Sequence, residues 1–416
     1  MRIITLLNQC YRHKGFVYKQ ARFSNTTENA IEVLVIARKN GKPRCSQCGH
    51  SCSGYDRLPE RRFEFIPMWG FHVYLRYARR RVNCLDCGIM AEHLPWADGK
   101  HQLTHAYMLF LAHWAKKLSW KEVALSFKTS WEKVFKSVEY VVTWGLEQRD
   151  LEGITAIGVD EIQWHKGHKY LTLVYQINAG NTRLLWIGKE RTQASFRQFF
   201  KFLGKDRTAR IGFICSDMWK PYLKVIKEEA AHALHILDRF HIVARLNKAL
   251  DEVRAAEHRR MQEDGYSPVL TKARWLLLKR PENLTENQEL RLSELLKYNL
   301  KSVRAHLLKE EFQLFWDYVS PYWAGKFLDQ WCTRVMRSNI QPLKREAKTI
   351  RKHKPLILNW FRAKKAFSSG IVEGLNTKVK LTVRKSYGFR TFKCTEIALY
   401  HALGKLPEPP LAHKFY

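Results

Sequence analysis

Long apolar runs are missing from this chain. None reaches the ~18 residues that a membrane-spanning helix needs, so an integral membrane protein is not expected. A secretory signal is missing too: the start, MRIITLLNQCYRHKG, has a short apolar stretch but no cleavage-site pattern. Internal repeats and low-complexity tracts are absent, which excludes a repeat array. Acids are scarce, with 39 Asp+Glu against 72 Lys+Arg, a formal excess of 33. A surface kept basic for solubility alone is a poor explanation, because such an excess repels itself. It points to a polyanionic partner, with nucleic acid first. The nine cysteines are odd in number and clustered, which argues against a secreted disulfide scaffold and for a reducing cytoplasm.

What is present is enough for several domains. The length of 416 residues suggests two to four, and the 45% hydrophobic content suffices for sizeable cores. Residues 1–98 read as a β-rich, Cys-paired module and 99–148 as helical. Residues 149–245 alternate strands and helices, 246–365 are mostly helical and charged, and 366–416 resume a helix before a Pro-broken tail.

The first module carries CSQCGH at Cys45 and Cys48 and CLDCGI at Cys84 and Cys87. Each C-x-x-C turn lets two thiolates reach one ion, and the following Gly permits close backbone approach. Two such turns complete a tetrahedral, structural zinc site. FEFIPMWGFHVYLRYARRRVNC alternates like a hairpin that would bring the turns together. Cys52 and His50 are alternative ligands. In the helical stretch that follows, Ser119 with Glu122 forms a capping-box pattern and Ser130 can cap a helix starting at Trp131. The order fits a helix-turn-helix whose last helix would offer Lys133 and Lys136 to DNA, with a plain helical hairpin without DNA contact as the alternative.

The middle reads β, β, β, α, β, α, β, α. The expected strands are ITAIGVD, YLTLVYQINA, TRLLWIG, RIGFICSD and ALHILD. Three strands without helices suggest an antiparallel meander, and the later alternation suggests parallel crossovers. The first and fourth strands can then be neighbours, each ending in an acid, Asp160 and Asp217. Ligand sites in open α/β sheets lie beyond the carboxyl ends of the strands. Adjacent carboxylates repel unless a cation bridges them, and oxygen-only ligands suit Mg²⁺ or Mn²⁺. Glu373, at the start of a helix that also carries Lys378, Lys380, Arg384 and Lys385, is the best third acid. A cap or a surface ion pair is the plainer reading of any one of the three acids.

These motifs, in this order (paired CxxCG, helix-turn-helix, GVDE, SDMW, LDRFH, EGLN), resemble those of the transposases of the ISL-three family of bacterial insertion sequences. The resemblance runs from Cys45 to about Leu406. It implies an RNase H-like mixed-sheet core with a DDE triad at Asp160, Asp217 and Glu373. An all-α insertion would interrupt that core between its fifth strand and its last helix. It also implies metal-dependent cleavage at the terminal inverted repeats, followed by strand transfer. Within LDRFH, Asp238 and His241 would support the scissile phosphate or the triad, with a helix cap the alternative for Asp238. Asn376 would touch phosphate. Family members often have Asn where this chain has Ser369. Trp275, in the insertion, is a candidate for stacking on a flipped base, against a core role. The basic run 338–354, with Lys344 and Arg345, is a candidate for backbone contact, against a solvated helix face. The expected partner is double-stranded DNA, both transposon ends and target. The expected assembly is a homodimer or larger on DNA, in the cytoplasm at the nucleoid. A nuclease without strand transfer and a DNA-binding regulator with an inactive core are the alternatives.

Overall fold

Alternating residues in FEFIPM and FHVYLR build the longest hairpin of the chain. In the computed structural model, which describes residues 2–99, 101–165, 167–266, 269–364, 370–386 and 388–410, its two-residue turn is Trp69-Gly70. Both turn residues have positive φ, 50° and 81°, the geometry that matches strand twist.

The chain packs as two compact units, residues 1–150 with 379–416 and residues 151–378. The first unit opens with helix α1 (Ile3–Cys10), ahead of the strands of the β-rich module. Its sheet contains β1 (Phe16–Phe23), β2 (Ala30–Ala37), β3 (Ser53–Met68), β4 (Phe71–Cys84) and β5 (Gly88–Ala91). Strand order is β1-β2-β4-β3, with β5 on β4. Three helices follow, α2 (His105–Lys117), α3 (Trp120–Ser126) and α4 (Trp131–Gln148). The Ser119–Glu122 capping box starts α3, and the Ser130 hydroxyl caps α4.

In the second unit the sheet is formed by β6 (Ala156–His165), β7 (Lys169–Asn178), β8 (Asn181–Lys189), β9 (Phe213–Ser216) and β10 (Leu234–Leu237). The order is β10-β9-β6-β7-β8. β6, β7 and β8 form an antiparallel meander, while β9 runs parallel to β6 and β10 parallel to β9. Helices α5 (Gln193–Leu203), α6 (Lys205–Ala209) and α7 (Lys220–Glu229) make the connections. Phe196, Phe199, Tyr222 and Val225 from α5 and α7 pack with Ile157, Val159 and Ile214 of the sheet in one apolar core.

After β10 come α8 (Arg239–Glu263), α9 (Arg274–Leu278), α10 (Glu286–Leu296), α11 (Lys301–Gln313), α12 (Pro321–Arg337) and α13 (Gln341–Arg362). They share a second core in which Phe312, Phe315, Trp316 and Trp331 are essentially buried. That core includes Ile236 and Leu237 of β10, so these helices are continuous with the sheet rather than an appendage.

Helix α14 (Gly370–Lys385) begins in the second unit, while its end, from Val379, groups with the first unit together with α15 (Phe392–Leu403). The sequence division 366–416 is therefore split. The physical reason lies in α15, which pairs Lys393 with Glu139 of α4 and brings Tyr400 under the Arg149 guanidinium at 5.7 Å.

Candidate functional site

Two sites emerge, one per unit. In the first, the hairpin brings both C-x-x-C turns together. Ligand sulfurs of Cys45, Cys48, Cys84 and Cys87 all lie within 4.8 Å of one another. Cys45 and Cys84 are buried, and Gly49 and Gly88, at φ +76° and +74°, turn the chain after each pair. Backbone N–H groups of Cys87 and Asp86 draw the Cys84 thiol down to about 6. Four sulfurs this close favour a soft divalent cation, so the donor set fits zinc. Cys52 stands outside this set and its thiol donates to the His50 carbonyl at 3.3 Å. The His50 ring is exposed and pairs with Asp86 at 3.0 Å.

The second site forms where three parallel strands finish. The β6–β9 ladder ends with Gly158 opposite Cys215, and the β9–β10 ladder with Ser216 opposite Leu237. Asp217 and Asp238 follow directly beyond, and Asp160 one residue further past Gly158. The sequence suggested that β6 stops at Asp160. It runs on to His165 instead, because β7 pairs with it throughout, Asp160 opposite Leu173 and His165 opposite Lys169. Asp160 thus marks the end of the parallel ladder, not of the strand.

Burial sets the electrostatics here. Desolvation raises the Asp160 carboxyl, against the Glu161 N–H that donates to it at 2.7 Å. Asp217 is pushed up to about 6 by desolvation, opposed by the Trp219 N–H, which donates to it at 2.9 Å, and reinforced by the charges of Glu161 and Asp160. Unpaired buried carboxylates are costly, and a cation is the usual remedy.

Asp238 caps α8, accepting from the Phe240 N–H at 2.7 Å. It also faces His241 one turn on, whose Nε2 lies 3.8 Å from Asp238 Oδ2 and 4.0 Å from Asp160 Oδ2. The cap reading of Asp238 is thus seen directly.

Glu373 is exposed on the first turn of α14. One turn later Asn376, 7% exposed, donates from Nδ2 to Asp160 Oδ2 and accepts from the Tyr175 hydroxyl at 2.7 Å. Asn376 therefore has both ends of its amide engaged inside the protein. Helix and strand also meet closely: a Cβ on Gly158 would lie 2.5 Å from Val372 Cγ2. Among the described residues, Asp160, Asp217 and Glu373 do not form a group with all ligand oxygens within 4.8 Å. Ser369 lies outside the described residues.

Other sequence candidates divide by environment. Lys133 forms an ion pair with Glu64 of β3, a partner sixty-nine residues away. Lys136 is exposed. Arg345 pairs with Glu252, while Lys344 is half-buried. Lys378, Lys380, Arg384 and Lys385 are exposed along α14. Trp275 is 58% exposed, with the Arg274 guanidinium 5.2 Å from its ring centre, so it is not a core residue. Sequence reasoning missed Tyr175, and also Arg191, which binds Glu161 at 2.7 Å. Alternation along β6 sends Asp160 and Glu161 to opposite faces and was the one available hint that Glu161 needs its own partner.

This constellation is that of an acidic centre on a mixed sheet, paired with a four-cysteine module. The family model for DDE transposases of the ISL3 (ISL-three) type, described as Transposase, matches residues 157–399. The chain belongs to that transposase family. Among curated relatives it is similar to the transposase for insertion sequence element IS1001 of Bordetella parapertussis, at 29% identity over 83% of this chain and 85% of that protein. It is also similar to the transposase for insertion sequence element IS1557 of Mycobacterium tuberculosis, at 28% identity over 89% of this chain and 88% of that protein. No helix among the described residues is long and apolar enough to cross a membrane.

Proposed function

We propose that this chain is a DNA transposase whose RNase H-like core carries a DDE triad of Asp160, Asp217 and Glu373, interrupted by the all-α insertion α8–α13. The strand order, a three-strand meander with two parallel strands added beside β6, supports that core. The observation that carries the reading is the Asn376–Asp160 hydrogen bond, which ties the helix bearing Glu373 to the strand bearing the first acid.

The three carboxylates would hold Mg²⁺ or Mn²⁺, since an oxygen-only donor set suits hard cations. When bound, such ions would supply polarisation of the attacking and leaving oxygens of a phosphodiester. The protein's own groups do the rest. Asn376 fixes the orientation of Asp160. His241, flanked by Asp160 and Asp238, donates a hydrogen bond to the scissile phosphate. Lys378, Lys380, Arg384 and Lys385 attract the DNA backbone alongside. Water attack at the element end breaks the P–O3′ bond and frees a 3′ hydroxyl. That hydroxyl then attacks a phosphorus of target DNA, forming a new phosphodiester as the target's own 3′ oxygen leaves, without a covalent enzyme intermediate. Catalysis rests on positioning and charge stabilisation.

The zinc-bound first module and helices α2–α4, with Lys136 on the last, would recognise the terminal inverted repeats. The working form would be a homodimer or larger assembly on paired ends, in the cytoplasm at the nucleoid. Replacing Asp160 with Asn tests the reading. Cleavage and strand transfer on end-containing DNA should vanish while DNA binding persists. Undiminished cleavage by that variant would refute it.

A further inference from the structure

Past Asp160, the β6–β7 hairpin and the end of β8 enclose a cleft of about 500 Å³ that no part of the mechanism uses. Its lining combines the rings of Trp164 and Tyr170 with the cations Lys169, Lys189 and Arg191. Glu190 is the one acid among the described lining residues.

The cleft is held in shape by the fold. Glu190 turns the chain out of β8 at φ +66°, a conformation uncommon outside glycine. Its N–H donates to the Tyr170 carbonyl at 2.9 Å, and its own carbonyl accepts from the Thr172 hydroxyl at 2.7 Å. That corner delivers Arg191 between two rings, 4.0 Å from the centre of Tyr170 and 4.8 Å from that of Trp219. Glu161 binds the guanidinium from β6, and Asp217 holds the Trp219 N–H. The inner wall of the cleft is therefore anchored to the residues next to both strand-end acids.

Aromatic faces with cations between them match the chemistry of an unpaired nucleotide, whose base stacks while its phosphate is neutralised. The volume lies in the range of small-ligand pockets, about 300–1,000 Å³, enough for a nucleotide and too small for a duplex. We propose that this cleft binds an unpaired DNA nucleotide beside the acidic centre, the base against Trp164 and Tyr170 and the phosphate against Lys169 and Lys189. This deepens the proposed function, resting on it for the choice of DNA as ligand.

The test uses the full chain and an oligothymidylate carrying iodouracil, photo-crosslinked and mapped by peptide sequencing, with a dA·dT duplex as the comparison. Crosslinks should map to Trp164 or Tyr170. Trp164→Ala should weaken binding of the single strand about tenfold, the loss of one stacked base. Trp164→Phe should restore most of it, and duplex affinity should stay within about twofold, since backbone charge dominates there. Crosslinks confined to other regions would overturn the proposal, as would equal losses for single strand and duplex in a Trp164→Ala protein that melts like the parent. Asp160→Asn run in parallel keeps the two readings apart. Undiminished cleavage by that variant with an intact crosslink sinks the catalytic triad and leaves the cleft standing, whereas lost cleavage with no crosslink at the cleft sinks only the cleft.

Discussion

Replacing Asn376 with Leu probes the joint between α14 and the sheet. The side chain is buried and both its polar ends are in use, one on Asp160 and one on Tyr175. Leucine keeps the branched outline but has bulkier methyl ends, which adds a packing cost of its own. The change strips a hydrogen bond from a carboxylate, worth roughly 1.5–3 kcal/mol, and orphans the buried Tyr175 hydroxyl at roughly 1–3 kcal/mol. A loss of about 3–5 kcal/mol from the second unit follows. Denaturant unfolding in chelator, followed by a probe in that unit, reads this directly. Cleavage of end-containing DNA should fall by about 10²-fold, because a displacement near 1 Å of a reacting group costs that much. Tyr175→Phe is the control. It removes only the outer bond, leaving the Asn376 Oδ1 without its donor, so it should cost roughly 1–3 kcal/mol and leave cleavage nearly intact. Equal effects of the two changes, or parental cleavage by Asn376→Leu, would refute the argument that Asn376 orients Asp160.

Three further outcomes are expected. Gly158→Ala should destabilise the second unit by roughly 1–3 kcal/mol in the same unfolding assay, because the new methyl meets Val372 at 2.5 Å. Cys84→Ser should lower bound zinc, measured by metal analysis, and unfold the first module with loss of its β signal, since a structural zinc supplies on the order of 10 kcal/mol of folding free energy. The third concerns acid. Burial, with His353 nearby, lowers His235 from 6.5 to about 4. The unfolded chain therefore binds a proton in that window that the folded chain does not, so stability falls as pH drops from 6.5 to about 4. The full effect is about 3 kcal/mol at 1.36 kcal/mol per unit, and His235→Gln should flatten that part of the pH profile of the unfolding midpoint.

Local signals were legible because their causes are local. The Ser119–Glu122 cap, the two C-x-x-C turns and the hairpin between them depend on residues a few positions apart, and so do the strand cores. The neighbouring of β6 and β9 could be read from the change of connection type, meander then crossover. What escaped depends on distant pairing. The strand continues past Asp160 because β7 supplies partners, which nothing within GVDE reveals. Lys133 has its counter-ion on β3, and Asn376 has Tyr175 two hundred residues earlier in the chain. Arg191 gains its meaning from Glu161, Tyr170 and Trp219, carried by different elements. Helix α1 was hidden because a short apolar stretch fits strand and helix equally.

The most direct test is anomalous diffraction from crystals of the chain with end-containing DNA and Mn²⁺. The account predicts manganese held by Asp160 and Asp217 with Glu373 completing the ligand set. Manganese bound with Glu373 turned away, or bound nowhere near Asp160, would contradict it.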